Sequence, residues 1–423
     1  MHDKTFEIYK NKIISIAQKA NMPTKHGKRR TKVIGAEFGA FSLVDEIVDD
    51  YDELVKMLLR EKNWGDKFSE KYIRKELQTI IAKIIKSAEQ QKDTNDLLEK
   101  FINSLVNYNK EWIVLVPLSG LVMKLNSVQL GKVTIYTITK EKAEKFFVNI
   151  DVIVKSMKYT EEEKQQIIQS LREYSKNTQN NICAEFRVIA EPDRALERAE
   201  EETLRVLDII RYSIPSLYHD DQRVKVSLMG EITTIVKCSP MISSDSKSFT
   251  LNNQVIGPLI PFELSDNSMK QMEKIGAIKL LAILTKPKEQ VSEFERILLR
   301  SVHWYSSSLT QYEIENQFLN LITCLETFLT PRDGNPIGTA IAEGVVILIT
   351  TGVENRIALK KEIQKLYGLR SAVSHGGKKE ILESDVKELN KIVRRLIMNM
   401  IRRIDEFKSQ KELLSWIEEQ KLS

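Results

Sequence analysis

The chain has 423 residues, of which 42% are hydrophobic, 29% charged and 7% aromatic, a composition typical of a globular protein with about two to four domains. Its formal charge of +5 is too small for the whole surface to bind a polyanion, and its three scattered cysteines support neither a disulfide framework nor a structural zinc site. The N-terminus carries charge where a secretion signal needs an apolar core, and no apolar run reaches the ~18 residues of a membrane span. We therefore expect a soluble, cytoplasmic protein that does not use a membrane.

Positive charge is concentrated at the start of the chain. Residues 1–34 contain nine lysines and arginines against two acidic residues, so the rest of the chain is close to neutral. The densest run is KHGKRRTK at 25–32. Such a run either follows a nucleic-acid backbone through several phosphate contacts or forms a solvated loop that only assists solubility. Its candidate nucleic-acid contacts are Lys28, Arg29 and Arg30.

Helical periodicity dominates the region from 43 to about 110, where turn signals divide the pattern. At Glu111 the pattern changes to β-branched residues in WIVLVPLSGLVMKL and SVQLGKVTIYTI. Pro117 and two glycines interrupt these segments, so we predict a few strands joined by tight turns.

The middle of the chain alternates between helix and strand. TEEE opens a predicted helix at Thr160–Lys176, with acidic residues where the helix dipole favours them. The strand ICAEFRVIA and a long charged helix at Asp193–Tyr212 follow, and then two short β segments, VKVSLMG and TTIVKCS. We interpret the polar stretch Ser243–Asn253 as a loop.

After Pro287 every segment is typical of a helix, with PRDGNP at 331–336 as a break. The last pattern repeats apolar residues at spacings of four and three, which predicts packing against another helix, within the domain or across a dimer. The predicted helices are Glu289–Thr310, Tyr312–Leu329, Ile337–Thr350, Asn355–Val373 and Leu382–Lys408.

These patterns predict an α+β fold in three parts. A basic N-terminal arm and helical region occupies 1–110, a mixed α/β domain occupies 111–286, and an all-α helical bundle occupies 287–423.

Among the five histidines, His375 has the most suggestive surroundings. The segment LYGLRSAVSHGG places Arg370 five positions before it and two glycines directly after it, where the helix is expected to end. On an ideal helix five positions rotate by about 140°, so the two side chains meet only if the chain unwinds near the histidine, as the glycines allow. By contrast, we interpret His303 in SVHWY as a packing histidine.

An arginine beside a histidine can cleave a phosphodiester without a metal. The arginine binds the phosphate and its growing charge, and the histidine moves the proton of the attacking or leaving oxygen. If the nucleophile is the ribose 2′-hydroxyl, the substrate is RNA. From the spacing alone, a surface arginine and a histidine that caps the helix are the commoner explanation.

Three blocks between Phe294 and Gly376 resemble an Apea-like HEPN domain, a helical family of prokaryotic defence and toxin ribonucleases. They are ILLRSVHWYSSSL at 297–309, ENQFLNLITCLETFL at 315–329 and KLYGLRSAVSHGG at 365–377, in the order of the family, and the third contains its R-x4-6-H signature. The preceding α/β region also resembles the segments that accompany this type of domain, though less specifically.

The resemblance implies that Arg370 and His375 are catalytic, that neither metal nor cofactor is needed, and that two protomers bring their motifs together. Ser371 takes the position after the arginine where many members carry Asn, His or Asp, so this orienting residue departs from the family pattern. Glu326 in CLETFL matches the glutamate of the preceding helix. It either orients Arg370 or His375 or forms a salt bridge that fixes two helices.

Three further residues are candidates for RNA binding. Tyr367, three positions before Arg370, either stacks on a base or packs in the core. Arg395 and Arg402 lie one heptad apart and form either a basic strip beside the cleft or a solvated helix face.

We therefore expect a metal-independent endoribonuclease that cleaves tRNA or mRNA as a homodimer. By resemblance it acts in anti-phage defence through abortive infection, with the α/β domain sensing a phage-derived trigger or restraining the nuclease. One alternative is a non-catalytic HEPN module that dimerises or binds RNA. Another is a regulatory sensor for which RNA cleavage is secondary.

Overall fold

A computed structural model describes residues 3–20, 31–36, 39–61, 64–89, 94–218, 224–232, 235–245, 247–257, 259–330, 337–374 and 380–421. Within them the chain is mostly helical with small sheets, so the predicted α+β class is confirmed. The chain forms two compact units, one of residues 1–114 and 186–201 and the other of 115–185 and 202–423. The division into three domains stays a prediction.

The first unit packs helices against a hairpin. In chain order its main elements are α1 (Asp3–Lys19), β1 (Thr31–Ala36), β2 (Gly39–Val44), α2 (Asp45–Arg60), α3 (Trp64–Lys67), α4 (Glu70–Glu89) and α5 (Asn95–Val106). β1 and β2 pair antiparallel, an element that the sequence does not signal.

The start of the basic region is a packed helix. Tyr9, Ile13 and Ile16 of α1 are buried, as their spacing on one helix face requires, and the Tyr9 hydroxyl donates to Glu61 at 2.7 Å. Residues 25–30 of the basic run, with Lys28, Arg29 and Arg30, lie outside the described residues.

The chain then enters a five-stranded sheet. Its strands are β3 (Glu111–Ser119), β5 (Val128–Leu130), β6 (Val133–Thr137), β7 (Ile182–Ile189) and β8 (Ser227–Leu228). Their order in the sheet is β5-β6-β7-β3-β8. β4 (Leu121–Met123) turns away from it and pairs in parallel with β11 (Phe262–Leu264).

The strands predicted after Glu111 are confirmed, with one correction. Pro117 does not interrupt β3 but lies inside it, and its carbonyl accepts a hydrogen bond from Met229 at 2.9 Å. Proline removes only the N–H donor, so a strand continues where that donor is not needed. Gly120 ends β3 with a φ of +76°, and its backbone lies against the carbonyl of Lys225.

Between β6 and β7 the chain forms α6 (Lys140–Phe147), α7 (Ile150–Lys155) and α8 (Glu161–Asn177). The helix predicted from TEEE is confirmed as α8. Its N-terminus is a capping box, in which the Thr160 hydroxyl accepts from the Glu163 N–H and the Glu163 side chain accepts from the Thr160 N–H.

The predicted charged helix is confirmed as α9 (Pro192–Tyr218), which continues through Pro215. The loop predicted at Ser243–Asn253 is wrong in its second half. β9 (Ile235–Ile242) pairs antiparallel with β10 (Phe249–Ile256), because backbone pairing with β9 overrides the low strand preference of the Asn-rich segment.

From Asp266 onward the described chain contains only helical elements and turns. They are α10 (Asp266–Lys274), α11 (Ala277–Thr285), a short 3-10 turn, α12 (Glu293–Thr310), α13 (Ile314–Leu329), α14 (Ile337–Ile349), α15 (Val353–Ser374), α16 (Glu383–Arg402) and α17 (Gln410–Lys421). The predicted helices agree with α12 to α16 to within a few residues. The last differs, since α16 ends at Arg402 and α17 begins at Gln410 after a turn.

The helices from α12 onward share a core of aromatic and aliphatic side chains. Phe294 of α12 and Phe328 of α13 are fully buried with ring centroids 6.5 Å apart. Ser301 of α12 contacts Cys324 of α13, and the two contacts together show that these helices run antiparallel. None of the described helices is long and apolar enough to cross a membrane.

Candidate active site

α13 and α15 bring three of the predicted site residues together. Glu326 lies near the C-terminal end of α13, and Tyr367 and Arg370 lie in the C-terminal third of α15. Ile363 and Leu366 anchor this part of α15, since both are at most 1% exposed. The polar side chains of the site therefore project from a rigid apolar base.

An ion pair links the two helices. Nε of Arg370 lies 3.2 Å from Oε1 of Glu326, and the side chains are 38% and 19% exposed. Within the described part of the chain, Glu326 is the ionic partner of Arg370, and the guanidinium donates no hydrogen bond there. A guanidinium paired in this way keeps N–H groups with which it can bind an anion.

Tyr367 contacts the same carboxylate. Its hydroxyl donates to Oε1 of Glu326 at 2.8 Å, and its ring centroid lies 5.9 Å from Cζ of Arg370. Burial and the hydrogen bond to Glu326 raise the pKa of Tyr367 to about 12. The hydroxyl therefore stays a donor at physiological pH.

The ring of Tyr367 rests on the first turn of α14. A Cβ atom on Gly338 would lie 2.6 Å from Cδ1 of Tyr367, a distance that atoms do not tolerate. A glycine at 338 is therefore what lets the ring lie against the α14 backbone. No sequence pattern singles out this contact.

Other predicted site residues are not placed. Ser371 lies in α15, but only its backbone is described. His375 follows the last described residue of α15, so its relation to Arg370 lies outside the described residues. The roles of these residues stay predictions.

The structure does not bring the two candidate arginines of α16 to this cluster. Arg395 donates to the carbonyl of Ile349 at 2.9 Å, at the C-terminal end of α14. Gly338, beside Tyr367, lies at the opposite end of α14, about 16 Å away at the helical rise. Arg402 is a further two turns along α16 and is exposed. Whether Arg395 and Arg402 bind RNA stays a prediction.

A second polar cluster joins α9 to α12, and sequence reasoning missed it. Asp208 and Arg211, which are 7% and 6% exposed, pair at 3.2 Å, and the Ser306 hydroxyl donates to Asp208 at 2.6 Å. His303 contacts Asp208 through Nδ1 at 2.9 Å. The only local signal is the Asp-x-x-Arg spacing within an apolar stretch of α9.

The interpretation of His303 as a satisfied packing histidine is wrong in part: its ring is hydrogen-bonded but not buried. Its side chain is 56% exposed and its bonding partner is a buried carboxylate on another helix. Val302 and Tyr305, which are close to it in sequence, are buried. They lie on the apolar face of α12, whereas His303 lies outside that face.

No group of three or more His, Cys, Asp and Glu side chains in the described ranges is arranged to hold a metal ion. Comparisons with family models, curated proteins and solved structures find no match to this chain.

Proposed function

We propose that the chain is a metal-independent endoribonuclease of the HEPN type, with its active site at the C-terminal end of α15. The observation that carries the proposal is that Arg370 pairs with Glu326 and is still partly exposed. Its guanidinium donates no hydrogen bond among the described residues, and its side chain is 38% exposed. Such a group can bind a phosphate in a fixed orientation.

The reaction transfers a phosphoryl group within RNA. The ribose 2′-oxygen forms a bond to phosphorus, and the bond from phosphorus to the 5′-oxygen breaks. Arg370 neutralises the charge that grows on the phosphate, and His375 moves the proton as general acid or base. The products end in 2′,3′-cyclic phosphate, or 3′-phosphate after hydrolysis, and in 5′-hydroxyl.

The remaining roles follow from the sequence resemblance. Glu326 and Ser371 orient the reacting pair, two copies of the chain bring their motifs together, and the substrate is a tRNA or an mRNA. The biological use is anti-phage defence in the cytoplasm, with a phage-derived trigger that releases the nuclease.

The test is cleavage of total RNA by the full-length protein in excess EDTA. We compare the wild type with Arg370→Ala, His375→Ala and, as a matched control, Arg300→Ala, which removes an exposed arginine of α12. We expect activity to fall about 100-fold or more in the first two variants and to persist in the control. Cyclic-phosphate ends identify the 2′-hydroxyl as the nucleophile.

Equal activity in all variants would refute the proposed site. If the wild type is silent, the assay is repeated with extract from infected cells. Cleavage that appears only there indicates a gated nuclease, whereas continued silence favours the non-catalytic RNA-binding module.

A further inference from the structure

The contacts of Tyr367 suggest a use different from base stacking. Its hydroxyl donates to the same oxygen of Glu326 that pairs with Nε of Arg370, at 2.8 Å and 3.2 Å. The hydrogen bond from Tyr367 restricts where this carboxylate oxygen can lie, and the oxygen in turn attracts the guanidinium of Arg370 as its ionic partner. The aromatic ring, 5.9 Å from Cζ, borders the same guanidinium.

Gly338 determines how deeply this ring is seated. The ring lies so close to the α14 backbone that a Cβ atom at 338 would overlap Cδ1 at 2.6 Å. Any side chain at 338 would therefore push the ring outward, and the hydroxyl would move with it because the ring is rigid. The position of the Glu326 carboxylate thus depends on the absence of a side chain one helix away.

We infer that Tyr367 is a positioning residue, seated on Gly338, that sets the orientation of Arg370 through Glu326 and so adjusts how Arg370 meets the scissile phosphate. The catalytic consequence of this inference rests on the proposed ribonuclease function. The effect of Tyr367 on Arg370 through Glu326, which we call the relay, can be measured without RNA cleavage. Tyr367 itself need not touch the RNA.

Two variants separate the parts of the relay. Tyr367→Phe keeps the ring and removes only the hydroxyl, whereas Gly338→Ala keeps the hydroxyl and displaces the ring. Tyr174→Phe is the matched control, because Tyr174 is 53% exposed and its hydroxyl has no hydrogen bond in the described part of the chain.

The first measurement uses the full-length protein labelled with 15N-arginine. The Nε–Hε resonance of Arg370 is assigned by its loss in Arg370→Lys. We expect this resonance to shift in Tyr367→Phe and in Gly338→Ala and to stay in place in the Tyr174→Phe control. An unchanged resonance in Tyr367→Phe would overturn the inference, whether or not the protein cleaves RNA.

The second measurement is steady-state cleavage of RNA. Loss of orientation acts on the transition state, so we expect kcat of Tyr367→Phe to fall about tenfold with KM changed less than about twofold. In a Glu326→Gln background Tyr367→Phe should lower kcat much less, since Glu326 no longer links Tyr367 to Arg370. A raised KM with unchanged kcat would instead identify Tyr367 as a base-stacking residue. Additive effects of Tyr367→Phe and Glu326→Gln on kcat would show that Tyr367 does not act through Glu326.

Discussion

Glu326 and Arg370 are 44 positions apart in sequence and 3.2 Å apart in the folded chain, where their contact joins the ends of α13 and α15. Because both side chains are partly exposed, the pair contributes at most about 1 kcal/mol to stability. Its importance is expected to lie in orientation.

We therefore predict that Glu326→Gln lowers RNA cleavage about tenfold while it leaves the free energy of unfolding within about 1 kcal/mol of the wild type. The amide keeps an oxygen acceptor but loses the charge that fixes the guanidinium. Urea denaturation and initial cleavage rates check the two parts, with the exposed Glu315→Gln on the same helix as control. A large loss of stability would indicate that the pair only fixes two helices.

For the buried pair of Asp208 and Arg211 we predict a larger effect of substitution on the free energy of unfolding. Removing the carboxylate in Asp208→Ala leaves Arg211, which is only 6% exposed, without its hydrogen-bonded counter-charge, so we expect a loss of about 3–5 kcal/mol. Replacing both residues, with Asp208→Ala and Arg211→Leu together, should cost less than the single change. Urea denaturation of the three proteins decides this, and a double variant less stable than Asp208→Ala would contradict it.

His303 should make stability depend on pH. The hydrogen bond and charge of Asp208 raise the pKa of His303 above its usual 6.5, against opposing effects of burial and Arg211. The folded state therefore holds the proton more tightly than the unfolded state. The resulting stabilisation is complete below about pH 6.5 and disappears as the pH rises through the folded-state pKa. The difference in unfolding free energy between wild type and His303→Gln should shrink from about pH 6.5 upward, and a difference that stays constant as the pH rises would argue against a charged pair.

At two glycines with positive φ, the cost of backbone strain can be measured separately from the cost of steric overlap. Gly120 has a φ of +76°, and a Cβ there would lie 1.8 Å from the carbonyl oxygen of Lys225. Gly230 has a φ of +92° and open space around it among the described residues. We predict that Gly230→Ala costs about 1–2 kcal/mol, the strain of φ alone, whereas Gly120→Ala prevents stable folding. Similar unfolding midpoints for the two variants would contradict this prediction.

Local signals were sufficient to predict α8 and α12 to α15, whereas α10, α11 and α17 were not predicted. The apolar spacing of α12 and α13 and the acidic first turn of α8 are patterns that a helix itself requires. The turn after Arg402 was not predicted, because apolar residues on either side of it keep a helical spacing.

Strand pairing was harder to predict than helix formation. β10 contains Asn252, Asn253 and Gln254, which alone favour a turn, and it becomes a strand only because β9 lies beside it. Similarly, the contact between Glu326 and Arg370 depends on how α13 and α15 pack. The sequence indicated these residues through a family resemblance, and nothing local to either helix signals their distance.

The parallel pairing of β4 with β11 has a consequence for synthesis of the chain. It joins residues about 140 positions apart, so this contact waits until Leu264 has left the ribosome. The ribosome makes α13 and α15 later still, and the cluster of Glu326, Tyr367 and Arg370 can form only after both helices have emerged. A nascent chain therefore has the opportunity to pair β4 with β11 before Arg370 is held in place, an order that would delay the proposed nuclease activity beside the ribosome that makes the chain.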